Sequence, residues 1–474
     1  MKTIRIMPAG AAPPADDGSL YEIRRKIYPR AVSGGYARAR VALVLFTQLV
    51  FYGLPWLRWN GRQAVLFDLA ERKFYIAGLV FWPQDVIYLA VLLILCALAL
   101  FLFTALAGRL WCGYACPQTV YAEIFLWVER KIEGDRLARI RLDAAPWTLE
   151  KFVVKALKHT AWLTIAAWTG YTFVGYFTPI QDLGVRAITW ELGGWEAFWI
   201  VFYAFATYGN AGWMREQVCK YMCPYARFQS VMFDRDTLVI AYDAQRGEKR
   251  GGRSRSADRA TTGLGDCVDC SICVQVCPTG IDIRNGLQYE CIGCAACIDG
   301  CNQVMDRMGY ARGLIRYTSQ NALARGYGAR ELWRRAVRPR SIVYTAMLLV
   351  IATAAGIALV HRSPLKVDVM RDRGALAREA APETIENIYR VQVMNITEQP
   401  RRVRIEASGL PGLHAVEADA PIDLAAGSTR LVPLRLQAPQ QAASAGSHPI
   451  EVIVTDADDP GVQRREKSTF ILPR

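Results

Sequence analysis

Residues 267–301 read CVDCSICVQVCPTGIDIRNGLQYECIGCAACIDGC, eight cysteines in thirty-five positions of a chain with five elsewhere. Cys267, Cys270, Cys273 and Cys277 follow C-x2-C-x2-C-x3-C-P, closed by Pro278; Cys291, Cys294, Cys297 and Cys301 repeat the spacing with Asn302 in place of proline. In this run three closely spaced thiolates hold one [4Fe-4S] cluster and the fourth ligates its neighbour. The spacing predicts crossed sets. Cys267, Cys270, Cys273 and Cys301 hold the first cluster, and Cys291, Cys294, Cys297 and Cys277 the second. Ile272, Val276, Ile281, Ile283 and Ile292 are placed to keep water from the sulfurs.

A disulfide framework suits small secreted domains, which this segment is not. Zinc ribbons use two C-x2-C knuckles with a longer gap, and two identical sets of four overshoot that.

The rest of the chain is apolar. At 474 residues, 52% hydrophobic and mean hydropathy +0.12, it exceeds one domain and an ordinary soluble composition. Spans of about 20 apolar residues are expected at residues 40–57, 85–107, 160–179, 196–213 and 342–360. The first 19 residues have no apolar core of a signal peptide, so the first span reads as an anchor.

Charge orients the spans, because lysine and arginine accumulate on the cytoplasmic side. Residues 1–39 carry seven, 108–159 nine and 214–341 twenty, against four in 58–84 and one in 180–195. The expected order is a cytoplasmic segment 1–39 and a membrane domain 40–213 of two hairpins. A cytoplasmic segment 214–341 follows, with the clusters at about 260–310, then a fifth span 342–360 and a periplasmic domain 361–474. The net charge of +14 then sits at the inner face, where topology and anionic lipid account for it without nucleic acid. All thirteen cysteines fall in spans or on the cytoplasmic side.

Residues 361–474 alternate in short runs: NIYRVQVMN (387–395), RRVRIEAS (401–408), LHAVEAD (413–419), STRLVPLRL (428–436), HPIEVIVTD (448–456) and EKSTFILP (466–473). Turn residues separate them, which predicts an immunoglobulin-like β-sandwich without the inter-sheet disulfide. His414 and His448 stand alone there, so a docking surface is expected rather than a catalytic one. Arg362, Ser363 and Pro364 read as the start of a short linker.

Four further cysteines form a second repeat. WCGYACPQTVYAEIFLW (111–127) and QVCKYMCPYARFQSVMF (217–233) share C-x-x-x-C-P with a central tyrosine: Cys112, Tyr114, Cys116, Pro117 and Cys219, Tyr221, Cys223, Pro224. Each follows a hairpin of spans, and a parallel duplication brings equivalent sites together about a shared axis. These thiols suit a soft metal such as Cu(I), a dithiol–disulfide couple, a third cluster, or packing. Cys96, alone in mid-span, reads as lipid- or core-facing. Arg109, Arg215, Lys220 and Arg227 are placed to steer an acidic donor or a chelated anion.

Over nearly its whole length the chain resembles the FixG/CcoG/RdxA cytochrome c oxidase accessory proteins. The resemblance rests on Tyr28-Pro29-Arg30 with Gly34, on CGYACPQTVY and CPYARFQ, on the two cysteine runs and on the β tail. It implies a multidomain protein of the bacterial inner membrane, with a five-span helical domain, a ferredoxin-like two-cluster domain and the sandwich. The implied role is to reduce Cu(II) to Cu(I) in assembling cbb3-type oxidase, with copper chaperones or assembly components as partners. The alternative is an electron-transfer subunit relaying quinol-derived electrons through its clusters to a partner complex. Neither names a catalytic residue, and the first names no electron donor.

Overall fold

Val86–Ala107 has twenty-two residues without a charge, a proline or a glycine. In hydrocarbon a chain must satisfy its own backbone polar groups, and a helix does so within one segment. In the computed structural model, Gly35–Trp56, Pro83–Ala107 and Pro339–Val360 are long and apolar enough to cross a membrane. The structure describes residues 26–255, 263–372, 377–416 and 420–473. The stretch without a signal peptide core, residues 260–262 of the cluster segment and the end of LHAVEAD lie outside them.

The expected third and fourth spans are helical as well. Residues 160–179 fall largely in Leu149–Val174, and 196–213 in Gly194–Thr207 continued by a π-helix, Tyr208–Met214. Among the described residues, three of the five positions meet the length and hydropathy of a span. Lys151, Lys155 and Lys158, in the first turns of Leu149–Val174, and the tyrosines and glycines of both segments lower the hydropathy of the other two. The pair crosses closely: a Cβ on Gly170 would stand 2.2 Å from the Ile200 carbonyl oxygen.

The chain divides into two units, Met1–Leu57 with Leu89–Thr353, and Arg58–Tyr88 with Ala354–Arg474. In the first, the cysteine-rich segment is closed by an antiparallel ribbon of Val239–Tyr242 with Ile315–Thr318. Ile240, Tyr242, Ile281, Ile283, Ile298, Met305 and Ile315 bury a common core with Cys267, Cys273 and Cys301. Asn302 lies within the helix Ala296–Met308, and its side-chain oxygen accepts from the Gly313 amide at 3.0 Å. Proline there would remove a helical N–H, whereas asparagine ties the helix to the following turn.

The second unit is a sandwich of two antiparallel sheets. One runs His414–Val416, Thr429–Pro439, Thr384–Asn395, Leu365–Arg371, with Arg378–Ala381 also paired to Thr384–Asn395; the other runs Ile422–Leu424, Arg401–Ser408, Gly446–Asp456, Gln463–Leu472. In Arg401–Ser408, Val403 and Ile405 point inward while Arg402, Arg404 and Glu406 face out. Tyr389, Val391, Val452 and Phe470 complete the core.

Two sequence expectations change here. Residues 58–84, for which the sequence suggested no element, contain a three-stranded meander, Val65–Asp68, Lys73–Ile76, Leu79–Phe81. Val80 and Trp82 pack with Met394 and Ile396 of the sandwich. Glu398 accepts from Arg62 at 2.6 Å and from Asn60 and Trp59, and Asp85 pairs with Arg362 and Lys366. Arg362 is therefore held by a buried carboxylate and by the Phe81 ring, and the strand beginning at Leu365 leaves little linker.

Candidate functional site

Each cysteine run wraps through two residues in the left-handed region, one before and one after its second cysteine. They are Asp269 (φ 50°) and Ser271 (φ 55°) in the first run, Gly293 (φ 70°) and Ala295 (φ 60°) in the second. Such conformations cost about 1–3 kcal/mol at non-glycine residues and cluster where a ligand is clamped. Both loops feed a helix, Ile272–Gln275 and Ala296–Met308, which carries the third cysteine of its run.

The loops enclose two apolar cavities. Cys267, Cys270, Cys273 and Cys301 line one, with Ile272 and Ile315. Cys277, Cys291, Cys294 and Cys297 line the other, with Ile281, Ile283 and Ile292; Cys273 borders both. Burial, then neighbouring thiols, push Cys301 up to about 12. Burial likewise takes Cys291 to about 12, with the Cys277 and Cys294 thiols adding to it. Four soft donors that repel one another as anions, around a dry cavity, fit a cationic iron–sulfur core.

The two C-x-x-x-C-P motifs share one local design. Cys116 and Cys223 are extended residues capping the helices Pro117–Glu133 and Pro224–Met232, each with proline at its first position, where the missing N–H is harmless. Ahead of them the motifs differ. Cys112 lies in a short α-helix, Leu110–Tyr114, and Cys219 in a π-helical turn, Val218–Met222.

The halves interlock. The Cys112 thiol donates to Gln229 of the second motif's helix at 3.3 Å, Thr104 and Tyr225 share a hydrogen bond of 2.7 Å, and Arg109 donates to the Ala226 carbonyl. Cys219 is pushed up to about 12 by burial and then by the thiols of Cys116, Cys112 and Cys223. The four thiols thus lie within electrostatic reach of one another. No three His, Cys, Asp or Glu side chains among the described residues converge as ligands of a single metal ion.

The thiol group abuts the second cavity. Cys112 and Cys219 pack on the same small core as Val276, Ile292, Cys294 and Cys297. A Cβ on Gly113 would stand 2.7 Å from the Gly293 carbonyl oxygen and 2.8 Å from the Cys294 nitrogen, so only glycine allows this backbone approach. Arg40 donates to the Cys294 carbonyl at 2.9 Å and Tyr317 to that of Gly293 at 2.5 Å. A narrow cavity is bordered by both Cys219 and Cys294.

Known proteins resemble this chain in sequence over most of its length. Residues 214–320 match the family described as "4Fe-4S dicluster domain", 89–134 one described as "4Fe-4S binding domain", and 355–473 the "IG-like fold at C-terminal of FixG". Nitrogen fixation protein FixG of Rhizobium meliloti is 39% identical over 425 residues, 83% of this chain and 81% of the relative. Protein RdxA of Cereibacter sphaeroides is 40% identical over 459 residues, 93% of this chain and 95% of the relative. Protein RdxB of the same organism is 39% identical over 405 residues, 84% and 85%.

The chain belongs to the FixG/RdxA family. It is an iron–sulfur electron-transport protein with ferredoxin-type 4Fe-4S domains and a C-terminal Ig-like domain. The match over 89–134 includes the first C-x-x-x-C-P motif.

Within this FixG/RdxA chain the steering role expected of Arg109 and Arg215 does not hold. Arg109 is buried and spent on Ala226; Arg215 bonds Glu129 at 3.0 Å. Arg227 is exposed and Lys220 half-buried. Cys96 is exposed on its helix. Sequence reading also passed over Glu129, fully buried between Arg139 (3.2 Å) and Arg215, and Glu133, buried with Lys155 (2.8 Å) and Lys158 (2.9 Å). Glu129 and Glu133 are four apart on one helix, a spacing that puts both carboxylates on one face.

Proposed function

We propose that the chain is a cupric reductase of the bacterial inner membrane that serves assembly of cbb3-type oxidase. Two [4Fe-4S] clusters supply one-electron transfer when bound; Cys267, Cys270, Cys273 and Cys301 hold one, Cys277, Cys291, Cys294 and Cys297 the other. Cys112, Cys116, Cys219 and Cys223 receive copper, and soft thiols favour the Cu(I) product. One observation carries this reading: Cys112 and Cys219 share an apolar core with Cys294 and Cys297. A copper site there is a packed neighbour of the second cluster.

The proposed topology has five spans, with the N-terminus, both cysteine runs and both C-x-x-x-C-P motifs cytoplasmic and residues 361–474 periplasmic. The domain limits are those of the charge pattern: 1–39, 40–213, 214–341, 342–360 and 361–474. Membrane lipid surrounds the spans. Copper chaperones or oxidase assembly components are the partners, and the outer sandwich, free of cysteine, is their docking surface.

The test is anaerobic. Dithionite-reduced protein, freed of excess reductant, is mixed with Cu(II) and a Cu(I)-specific chelator. The expected result is stoichiometric Cu(I) with bleaching of the reduced-cluster signal reversed. The second reading, a relay to a partner reductase, is favoured by the match of residues 89–134, which include Cys112 and Cys116, to a 4Fe-4S binding family rather than a copper one. Clusters that stay reduced beside Cu(II) would select it.

A further inference from the structure

A cavity of about 440 Å³ opens among the helices Gly35–Gly53, Pro117–Glu133, Leu149–Val174 and Gly194–Thr207. Its volume falls in the range of small-molecule sites, about 300–1,000 Å³. One wall is Ala115, Pro117 and Gln118, the residues either side of Cys116; the wall opposite in character is aromatic, with Phe173 and Tyr203. The polar end is built by Gln48 and Tyr121. Behind them the Tyr52 hydroxyl lies 2.8 Å from Thr169 Oγ1 and 3.4 Å from the Tyr121 hydroxyl. Gln48 bonds Tyr121 through its amide, and its side-chain oxygen is buried and accepts no hydrogen bond among the described residues, which leaves an acceptor for a ligand's donor.

We propose that this cavity binds the headgroup of an isoprenoid quinol. The ligand must be soluble in lipid, because Thr47, Gln48, Phe51, Thr169, Phe173 and Tyr203 line the cavity from three spans of the proposed topology. It must also present a hydroxyl donor to Gln48 and a flat ring to the aromatic wall, and an acyl chain offers neither. The inference deepens the electron-transfer reading, on which it rests, by assigning the quinol a binding site in this chain. Oxidation of the quinol to the quinone breaks two O–H bonds and releases two protons to the aqueous phase. The two electrons pass singly to the two iron–sulfur acceptors, and then to two Cu(II) ions.

The experiment measures binding alone. Decylubiquinone is titrated into the purified full-length protein in detergent, and an azido-ubiquinone probe is photo-crosslinked and mapped. Expected are saturable binding, labelled peptides from 115–121 or 203–211, and affinity at least tenfold weaker in Gln48→Leu and Ala206→Phe. Iron content should be unchanged in both variants. Unaltered affinity in Ala206→Phe, which fills the cavity, would overturn the proposal. So would displacement of the probe by phosphatidylcholine as readily as by decylubiquinone. Dithionite-driven copper reduction bypasses the cavity, so loss of quinone binding with copper reduction intact sinks this inference alone. Quinone binding without copper reduction supports it and sinks the acceptor side.

Discussion

The eight thiols of residues 267–301 and the four of the C-x-x-x-C-P motifs differ in what holds each group together. In the first group one short run supplies three cysteines of a cage, and left-handed residues at fixed positions bend the loop around it. In the second, Cys112 and Cys219 stand far apart in sequence and share a core where Gln229, Tyr225 and Arg109 join the two C-x-x-x-C-P segments. Local spacing builds the first site; tertiary assembly builds the second. Substitutions should therefore damage them in different ways.

The largest effect is expected at a cage ligand. Anaerobically purified protein should hold about eight iron and eight sulfide, and Cys277→Ser or Cys301→Ser should lower iron towards about four. In each case the spectrum should show loss of the cage whose other three thiols lie in the opposite run. Zinc in place of iron, or a wild-type content of about four iron, would break the two-cage assignment.

Next in size is the buried ion-pair group that ties the helix Pro117–Glu133 to Arg139 and Arg215. Glu129 is buried between Arg139 and Arg215, and removing one partner of such a group destabilises by about 3–5 kcal/mol. Thermal unfolding of Glu129→Ala should fall accordingly, with the second motif more open to thiol alkylation than the cluster run. Equal exposure of both groups would mean the two sites are not separately held.

Gly113→Ala probes the seam between the sites. The added Cβ meets backbone atoms of Gly293 and Cys294, and overpacking of this kind costs about 1–3 kcal/mol. Copper reduction should slow while iron content and Cu(I) binding persist. Unchanged kinetics would show that the close approach is not used for transfer.

The thiol-free unit gives the smallest effect and serves as a control. Burial alone would raise Glu386, but hydrogen bonds from Gln437, Arg435 and Arg378 hold it below the usual carboxylate range. Its contribution is then present above an unfolded value of about 4.3 and lost as pH falls through the lower folded value. Protease resistance of residues 361–474 in the full chain should decline between pH 5 and 3, less steeply in Glu386→Gln.

Legibility followed the same division. The grouping of eight cysteines into two lined cavities was readable because spacing fixes a loop's reach. Six of the sandwich strands were readable because alternation reports a half-buried face, although Leu365–Arg371 was hidden by its proximity to the last span. The meander at 65–81 escaped because its strands are three or four residues long. Its partners, Met394 and Ile396, lie three hundred residues away. The polar lining of the cavity among the helices escaped too, since Gln48 and Tyr121 belong to different helices and neither breaks the pattern of its own.

The central claim is that the paired C-x-x-x-C-P thiols form a copper site fed by, and distinct from, the cysteine-run clusters. Replacing Cys112, Cys116, Cys219 and Cys223 together by serine, then measuring iron, sulfide and dithionite-driven Cu(I) formation on one sample, tests it most directly. Serine keeps the shape and removes the soft donor. The account predicts unchanged iron and a cluster spectrum like that of the parent protein, with Cu(I) binding lost and copper reduction slowed at least tenfold. Full copper reduction by this variant, or a loss of about four iron, would contradict it, the second outcome assigning these thiols to a further cluster.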